Sequence, residues 1–323
     1  MKQAFWFNTP PGTKARCFVP VDGAAALPAA VVRGAAPGRT VLITAGIHSA
    51  EYVGIQAAIE LADELEPAAV CGCVIILPVV NRTGFEHRTM SVVHEDGKNL
   101  NRLFPGDPDG TPGDRIAWML SACVFPHIDY YIDLHSGDGF EELTPYIYCQ
   151  GAADAQTARR SREMAMQADV PYLVASPLAR GGAYNHAGSM GIPGVLLERG
   201  GMGCWSRAEV DADKKDVRNM LRFLGVLGGV SEPRIHTPAD VGTVIYETAP
   251  ATGCWYPAKR AGQPVARGEL LGSICDYHGR TLAVCRARQD GVLLYQTATL
   301  NILQDTPMVA YGQRPRTEER QWN

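Results

Sequence analysis

Short apolar runs alternate with longer amphipathic segments along roughly the first two thirds of the chain. Five runs rich in β-branched and other apolar residues predict buried strands, at residues 40–44, 74–80, 129–135, 145–149 and 194–198. Segments with apolar residues three and four positions apart predict helices at residues 52–65, 114–122, 153–167 and 208–227. Strands that alternate with helices favour an α/β fold, with a mostly parallel sheet flanked by helices on both faces.

Two glycine-punctuated stretches interrupt this alternation. Residues 81–112 are polar and too long for an ordinary connection, so we expect a functional loop there. Residues 180–188 combine glycines with Arg180, Tyr184 and His186. This second stretch either lines a cleft or is an ordinary solvated connection, and the pattern does not separate the two.

The pattern changes near residue 232. From there to the end, short β-rich runs are separated by Gly, Pro and Asp, and no segment has helical periodicity. We therefore place a domain boundary near Ser231, with an α/β domain at residues 1–231 and a smaller all-β domain at residues 232–323. Residues 314–323 are polar, which predicts a loose C-terminal tail.

Composition narrows the classes of partner. The chain has 323 residues, a hydrophobic content of 46% and a net charge of −4, so it lacks the basic surface that binds nucleic acid. No apolar stretch reaches the ~20 residues that span a bilayer, and the first ten residues lack the apolar core of a signal peptide. Nine cysteines without a framework spacing suit reduced thiols. We expect a cytoplasmic protein that binds neither nucleic acid nor membrane.

The first candidate for chemistry follows the strand at residues 40–44. His48 and Glu51 lie between that strand and the predicted helix, and residues three apart share a face in a helical turn. An imidazole and a carboxylate that face one point suit a zinc ion. The alternative is that His48 only closes a loop, while Glu51 only favours the positive end of the helix dipole.

Two more candidates stand at strand ends. His135 ends the run at residues 129–135, and Glu198 ends the run at residues 194–198. The carboxyl ends of parallel strands share one edge of a sheet, where ligands bind, so we expect both side chains to join His48 and Glu51. Two His and one Glu around a metal, with a further Glu nearby, are typical of a catalytic zinc site. Asp133 lies on the same side of its strand as His135, where it either orients that imidazole or forms a plain buried ion pair.

Four motifs in chain order resemble the succinylglutamate desuccinylase/aspartoacylase family, a branch of the zinc carboxypeptidase-like enzymes. They are Gly-Ile-His-Ser-Ala-Glu at residues 46–51, Asn-Leu-Asn-Arg-Leu-Phe-Pro-Gly at 99–106, Asp-Leu-His at 133–135 and Leu-Glu at 197–198. The second motif is the most specific of the four. The resemblance implies a zinc-carboxypeptidase-like α/β fold, followed by a small barrel-sandwich domain that narrows the mouth of the site or packs against another subunit.

The resemblance also implies a role for each matching residue. Three residues match the ligands of one zinc ion per chain, namely His48, Glu51 and His135. Glu198 matches the general base, Asn101 and Arg102 match the pair that holds a substrate carboxylate, and Arg88 matches the arginine that stabilises the oxyanion. Elementary chemistry agrees, because guanidinium groups bind carboxylates in a bidentate manner and a cation near an oxyanion lowers the barrier. For Arg88 and Arg102, a plain surface ion pair is the alternative.

These residues predict a zinc-dependent deacylase that hydrolyses the amide of a small N-acylated amino acid or a related carboxylate-bearing amine. A metallocarboxypeptidase acting on short peptides is the alternative within the same chemistry. A non-catalytic binding protein that keeps the fold is the alternative from another class, and the intact ligand set together with Glu198 argues against it. A homo-oligomer is compatible with the sequence.

Overall fold

The computed structural model describes residues 8–313. The predictions about the tail at residues 314–323 and about the first seven residues lie outside that range. As far as it is described, the α/β part contains six α-helices and nine strands, with these bounds: β1 Thr13–Val21, β2 Ala24–Arg33, β3 Ala36–Ala45, α1 Tyr52–Glu64, β4 Cys71–Leu77, α2 Arg82–His87, α3 Pro112–Trp118, β5 Tyr130–His135, β6 Glu141–Leu143, β7 Tyr146–Cys149, α4 Ala155–Ala165, β8 Tyr172–Ala175, α5 Ala183–Ser189, β9 Gly194–Glu198 and α6 Arg207–Phe223.

The remaining described chain is entirely β in its regular elements. Its strands are β10 Ala239–Val241, β11 Val244–Thr248, β12 Gly253–Pro257, β13 Pro264–Val265, β14 Leu270–Cys275, β15 Thr281–Arg286, β16 Gly291–Thr297, β17 Asn301–Ile302 and β18 Pro307–Gly312. The expected change from α/β to all-β sequence is therefore confirmed. None of the helices described between residues 8 and 313 is both long and apolar enough to cross a membrane.

One nine-stranded mixed sheet carries the site. Its strand order is β1-β2-β4-β3-β5-β9-β7-β8-β10. The four central strands, β4, β3, β5 and β9, are parallel, and β7 joins β9 in the antiparallel sense. The antiparallel hairpin of β1 and β2 closes one edge. The predicted α/β class is confirmed, and parallel β3, β5 and β9 direct their carboxyl ends to one edge.

The central strands are buried on both faces, as their unbroken apolar runs predict. On β3, Val41 and Ile43 belong to the hydrophobic cluster beneath α1 and α6, whereas Leu42 belongs to the cluster on the opposite face with Ile116 and Ala187. Period-two alternation along one strand thus places side chains in two separate cores. Because both faces are covered by helices, only the strand ends are free to form a cleft.

Three local predictions are wrong. The strand predicted at residues 74–80 begins at Cys71 and ends at Leu77, because Pro78 has no N–H for the ladder. The predicted loop at residues 81–112 contains α2, which Asn81 caps by accepting a hydrogen bond from the Gly84 N–H. The predicted loop at residues 180–188 contains most of α5.

The C-terminal strands form two antiparallel sheets. One contains β11, β18, β16 and β13, and the other contains β15, β14, β12 and β17. Trp255, Ile274 and Leu293 belong to one buried cluster that joins the two sheets, as in a sandwich. Two pairings cross residue 231, because β10 joins β8 in the large sheet and β6 joins β16 in the small one. The division at residue 231 stays a prediction.

Candidate metal centre

The first ligand-bearing segment begins where β3 ends. Gly46 has a φ of +65°, a conformation that favours glycine, and it turns the chain out of the sheet. The Asn81 N–H donates to the Gly46 carbonyl at 2.8 Å, which ties this turn to the end of the neighbouring strand. The helix α1 begins one residue after Glu51. The turn and the helix start therefore present His48 and Glu51 together at the carboxyl edge of the sheet.

Three side chains converge at that edge. Nδ1 of His48 lies 2.7 Å from Oε1 of Glu51, and Nδ1 of His135 lies 2.8 Å from Oε2 of the same carboxylate. Ligand atoms from the three residues all lie within 4.8 Å of one another. The expected convergence of His48, Glu51 and His135 is confirmed as geometry. The residues come from two strand ends that are distant in sequence.

The outer nitrogens of both imidazoles face oxygen atoms. Nε2 of His48 lies 3.2 Å from Oδ1 of Asn99, and Nε2 of His135 lies 3.2 Å from Oδ2 of Asp133. The Asn99 contact favours the tautomer of His48 that leaves its Nδ1 lone pair free, whereas Nε2 of His135 and Oδ2 of Asp133 are buried without a hydrogen-bond partner in the described chain. A lone pair 2.7 Å from a carboxylate oxygen is repelled by it unless a cation lies between them. The donor set and its orientation therefore fit a divalent metal ion, and zinc suits two nitrogens and one carboxylate.

The electrostatics of the cluster point the same way. Burial opposes the charge of Glu51, but the two imidazoles outweigh it and lower the pKa of this carboxyl to about 2. Burial also opposes a charge on His135, and Glu51 and Asp133 outweigh it and raise the pKa of this imidazole well above its usual range. The centre therefore has a strong affinity for positive charge.

Glu198 ends the strand beside His135. The two residues are register partners across the parallel pair of β5 and β9, and Tyr146 is the register partner of Glu198 on its other side. Burial, followed by the negative charge of Glu51, raises the pKa of the Glu198 carboxyl well above its usual value. The side chain is partly exposed at the cleft. The register thus places Glu198 beside His135, and its role as general base stays a prediction.

Asn101 and Arg102 follow Asn99 in a short 3-10 turn, Leu100–Arg102. Asn101 is buried, and its Oδ1 accepts a hydrogen bond from the Ala183 N–H at 2.9 Å, where α5 begins. Arg102 is exposed, and its Nη1 donates to the Asn101 carbonyl at 2.9 Å. The buried amide therefore anchors the start of α5, and the guanidinium lies at the surface of the site. Their binding of a substrate carboxylate stays a prediction.

Arg88 lies at the C-terminal end of α2 with a φ of 59°. Its side chain is exposed. Two residues later, the Met90 carbonyl accepts hydrogen bonds from the Ser49 and Ala50 N–H groups, at 2.8 and 3.3 Å. The backbone that carries Arg88 is therefore fixed to the segment between His48 and Glu51. Its contact with an oxyanion stays a prediction.

Three further residues belong to this region, and the sequence alone assigned a role to none of them. Asn99 was visible only as the first letter of the motif at residues 99–106, and its role against His48 needs the folded chain. Glu141 and Tyr295 belong to β6 and β16, which pair with each other, and the negative charges of Glu141 and Glu198 both act on the Tyr295 hydroxyl. No local pattern marks such residues, because tertiary pairing alone brings them to the cleft.

Comparison with known proteins adds a family to this geometry. Residues 37–224 match the model of the succinylglutamate desuccinylase/aspartoacylase catalytic domain. The chain is 32% identical over 282 residues to an N-alpha-acetyl-L-2,4-diaminobutyric acid deacetylase of Halomonas elongata, a match that covers 84% of this chain and 81% of the relative. The matched residues include all of the side chains at the candidate centre that come from the large sheet.

Solved structures are similar over almost the whole chain. The product-bound ectoine utilization protein EutE (DoeB) of Ruegeria pomeroyi is 27% identical, with a TM-score of 0.85 over 94% of this chain and 98% of that chain. A succinylglutamate desuccinylase/aspartoacylase of Rhodobacter sphaeroides is 26% identical, with a TM-score of 0.84 over 94% and 95%. Both the α/β part and the C-terminal β part are therefore shared with these proteins.

Proposed function

The chain belongs to the succinylglutamate desuccinylase/aspartoacylase family, and from that premise we propose that it is a zinc-dependent deacylase of small N-acylated amino acids. One zinc ion per chain is held by His48, Glu51 and His135. The observation that carries the proposal is the convergence of these three donors beside Glu198 at one sheet edge. The product is a free amino acid, or a related carboxylate-bearing amine, together with the acyl acid.

The metal and the base have separate tasks. When bound, a divalent ion at this centre supplies a Lewis acid and lowers the pKa of a water molecule toward about 7. Glu198 takes a proton from the attacking water and passes it to the leaving amine. Its burial and the charge of Glu51 raise its pKa, which favours uptake of the proton from the attacking water. The strand register holds it beside His135.

Arginine side chains supply the remaining charges. Arg102 is exposed at the cleft and binds the carboxylate of the substrate, with Asn101 holding the adjoining backbone. Arg88 stabilises the negative charge that develops on the amide oxygen, an interaction worth about 3 kcal/mol in comparable sites. The backbone that carries Arg88 is fixed to the ligand segment through Met90.

The C-terminal sheet favours a deacylase over a carboxypeptidase. Its strand β16 pairs with β6 beside the cleft, and Tyr295 on β16 interacts with Glu198 and Arg102. With β16 beside the site, little room remains for the extended chain of a peptide, so we expect small substrates to be preferred. A non-catalytic binding protein would have no need for Glu198 in register with a metal ligand.

Turnover on defined substrates tests the proposal. The zinc-loaded protein is incubated with acetyl, succinyl and formyl derivatives of amino acids, and with short peptides, while release of free amine is measured. The first substrate is Nα-acetyl-L-2,4-diaminobutyrate, because the Halomonas relative is a deacetylase of that compound. We expect hydrolysis of at least one N-acyl amino acid and little cleavage of peptides. Peptide trimming without deacylation would favour the carboxypeptidase, and no turnover with retained zinc would favour the binding protein.

A further inference from the structure

Glu141 is fixed between the two loops that follow the site strands. Its carbonyl accepts a hydrogen bond from the Met202 N–H at 2.8 Å. A Cβ added at Gly137 would lie 2.3 Å from this carbonyl oxygen, and one added at Gly201 would lie 2.5 Å from it. The loop after β5 and the loop after β9 therefore pack directly against this backbone. The position of Glu141 relative to His135 and Glu198 is consequently set by the sheet.

Strand alternation separates Glu141 from its neighbour Glu142. Side chains of successive residues in a strand point to opposite faces. Glu142 contacts the C-terminal sheet, where its Oε2 accepts a hydrogen bond from Gln296 Nε2 at 2.8 Å and its Oε1 lies 3.4 Å from Arg260. Glu141 instead lies on the opposite face of β6, on the side of Tyr295, whose hydroxyl is affected by the charges of both Glu141 and Glu198. Glu141 therefore faces the site and Glu142 faces away from it, so Glu142 can serve as a control position for Glu141.

The charges around Glu141 are mostly negative. Burial, followed by the carboxylates of Asp138 and Glu51, raises the pKa of Glu141 to about 8, while Arg102 acts in the opposite direction. Within residues 8–313, the Glu141 carboxylate forms no salt bridge. A half-buried carboxyl that forms no salt bridge is stabilised by a cation that contacts it directly.

Arg102 is not positioned as that cation. It is exposed, its Nη1 donates to the Asn101 carbonyl, and the described chain contains no salt bridge to it. The cleft therefore offers two separate and opposite charges near the metal group, one guanidinium and one carboxylate. A molecule that complements both carries a carboxylate at one end and an ammonium group at the other.

We propose that Glu141 is a specificity-determining residue that binds the free side-chain ammonium group of an N-acyl diamino acid, opposite Arg102. The inference rests on the proposed deacylase function and adds the class of substrate and the residue that selects it. Glu141 does not take part in the chemistry of amide cleavage. Its effect is therefore on substrate choice and KM, and not on the rate of hydrolysis of neutral substrates.

A pair of nearly isosteric substrates isolates the effect. Nα-acetyl-L-2,4-diaminobutyrate and Nα-acetyl-L-norvaline differ in one terminal group, ammonium or methyl. We expect kcat/KM of the zinc-loaded enzyme to be at least about tenfold higher for the diamino acid, the size expected for a partly buried charge pair. Glu141→Gln should abolish that preference, mainly through KM, and leave the norvaline substrate unchanged. Glu142→Gln should keep the preference.

Several outcomes would overturn the inference. A wild-type enzyme with no preference for the ammonium group contradicts it, as does a Glu141→Gln variant that loses activity equally on both substrates. If that variant does not fold, Glu141→Asp replaces it. The shorter carboxylate should lower kcat/KM for the diamino acid substrate more than for the norvaline substrate. An equal effect on both would again contradict the inference.

Calorimetry separates this inference from the proposed function. If the zinc-loaded protein hydrolyses no N-acyl amino acid, the deacylase proposal fails, and binding of free 2,4-diaminobutyrate and norvaline is measured instead. Tighter binding of the diamino acid, lost in Glu141→Gln, supports the role of Glu141 without turnover. Equal binding of the two amino acids, or binding of neither, overturns it.

Discussion

Glu198 and His135 are register partners on adjacent parallel strands, β9 and β5. Neighbouring strands lie about 4.8 Å apart, so the sheet itself fixes the spacing of these two residues. Both strands are buried on either side along most of their length. A carboxyl held in this way does not depend on an ordered loop for its position. The proposed metal ligand and the proposed base can therefore be replaced separately by mutation.

Replacement of Glu198 should separate metal binding from turnover. Glu198→Gln keeps the size and position of the side chain but removes the proton acceptor. We expect turnover to fall by about 10²- to 10⁴-fold, with about one zinc per chain retained. Steady-state kinetics and elemental analysis on the same preparation check both expectations. Near-normal turnover would show that another group acts as the base.

Replacement of a proposed metal ligand should lower zinc content, and activity should fall because zinc is lost. His135→Ala removes one of two imidazoles and leaves Glu51 and Asp133 as buried carboxylates with one less partner. We expect zinc content to fall at least about tenfold, with activity lost in proportion. His278→Ala, which changes an exposed histidine of the C-terminal sheets, is the matched control. Equal zinc in both variants would place the metal elsewhere.

The two arginines should differ in their kinetic effects. Arg102→Ala should raise KM by about 10- to 100-fold with a smaller change in kcat, because a charged hydrogen bond to the substrate carboxylate is lost. Arg102→Lys should recover only part of the loss, since ammonium cannot form the bidentate contact. Kinetics on an N-acyl amino acid and on its amide-capped analogue check the assignment. An equal effect on both substrates contradicts it.

Arg88→Ala should lower kcat by about 10²-fold with little change in KM, because its charge acts on the transition state. Arg280→Ala is the matched control, since Arg280 is exposed and pairs only with Asp276 at 2.9 Å within the described chain. Titration with the product amino acid gives an independent check, because product affinity should be the same in wild type and Arg88→Ala. A large change in KM would assign Arg88 to ground-state binding.

The sequence allowed the main features of the centre to be predicted, because their causes are local. Each strand end at His48, His135 and Glu198 follows an apolar run, and a parallel sheet aligns such ends at one edge. Asn81, which caps α2, is a residue type that favours helix N-termini, so the start of α2 could have been predicted where we expected only a loop. The fold class and the convergence of the three ligands were predicted for this physical reason.

Other features depend on contacts distant in sequence. The start of α5 is held by the Asn101 amide, 82 residues away, so its glycine-rich sequence alone predicts a loop. Strand β10 follows a polar linker and joins β8 through tertiary pairing. Asn99 meets His48, and Glu141 meets the loops after β5 and β9, only in the folded chain. No periodicity or spacing encodes such partners.

Arg199, next to Glu198 in the chain, joins β9 to α6 through a buried charge cluster. Its Nη2 lies 2.6 Å from Oδ2 of Asp216 and its Nη1 lies 3.4 Å from Oδ1 of Asp213. Both aspartates are fully buried. Burial raises the pKa of Asp213 to about 8, although the Arg199 charge opposes it and the Asp216 charge adds to it. Asp213 is therefore neutral in the folded protein at acidic pH.

This cluster predicts a pH-dependent effect of Asp213→Asn on stability. An unfolded aspartate has a pKa of about 3.9, so between about pH 4 and pH 8 the folded state binds more protons at Asp213 than the unfolded state. The wild-type protein therefore loses stability from this group as pH rises through that window, whereas the asparagine variant does not. Since one pH unit within this window corresponds to about 1.4 kcal/mol, we expect the variant to gain about 4 kcal/mol, or about 6 °C in Tm, relative to wild type between pH 5 and pH 8. Thermal unfolding of the zinc-loaded proteins at matched scan rates measures the difference. A Tm difference that is constant across this range would mean that Asp213 stays ionised beside Arg199 and that the cluster is a permanent ion pair.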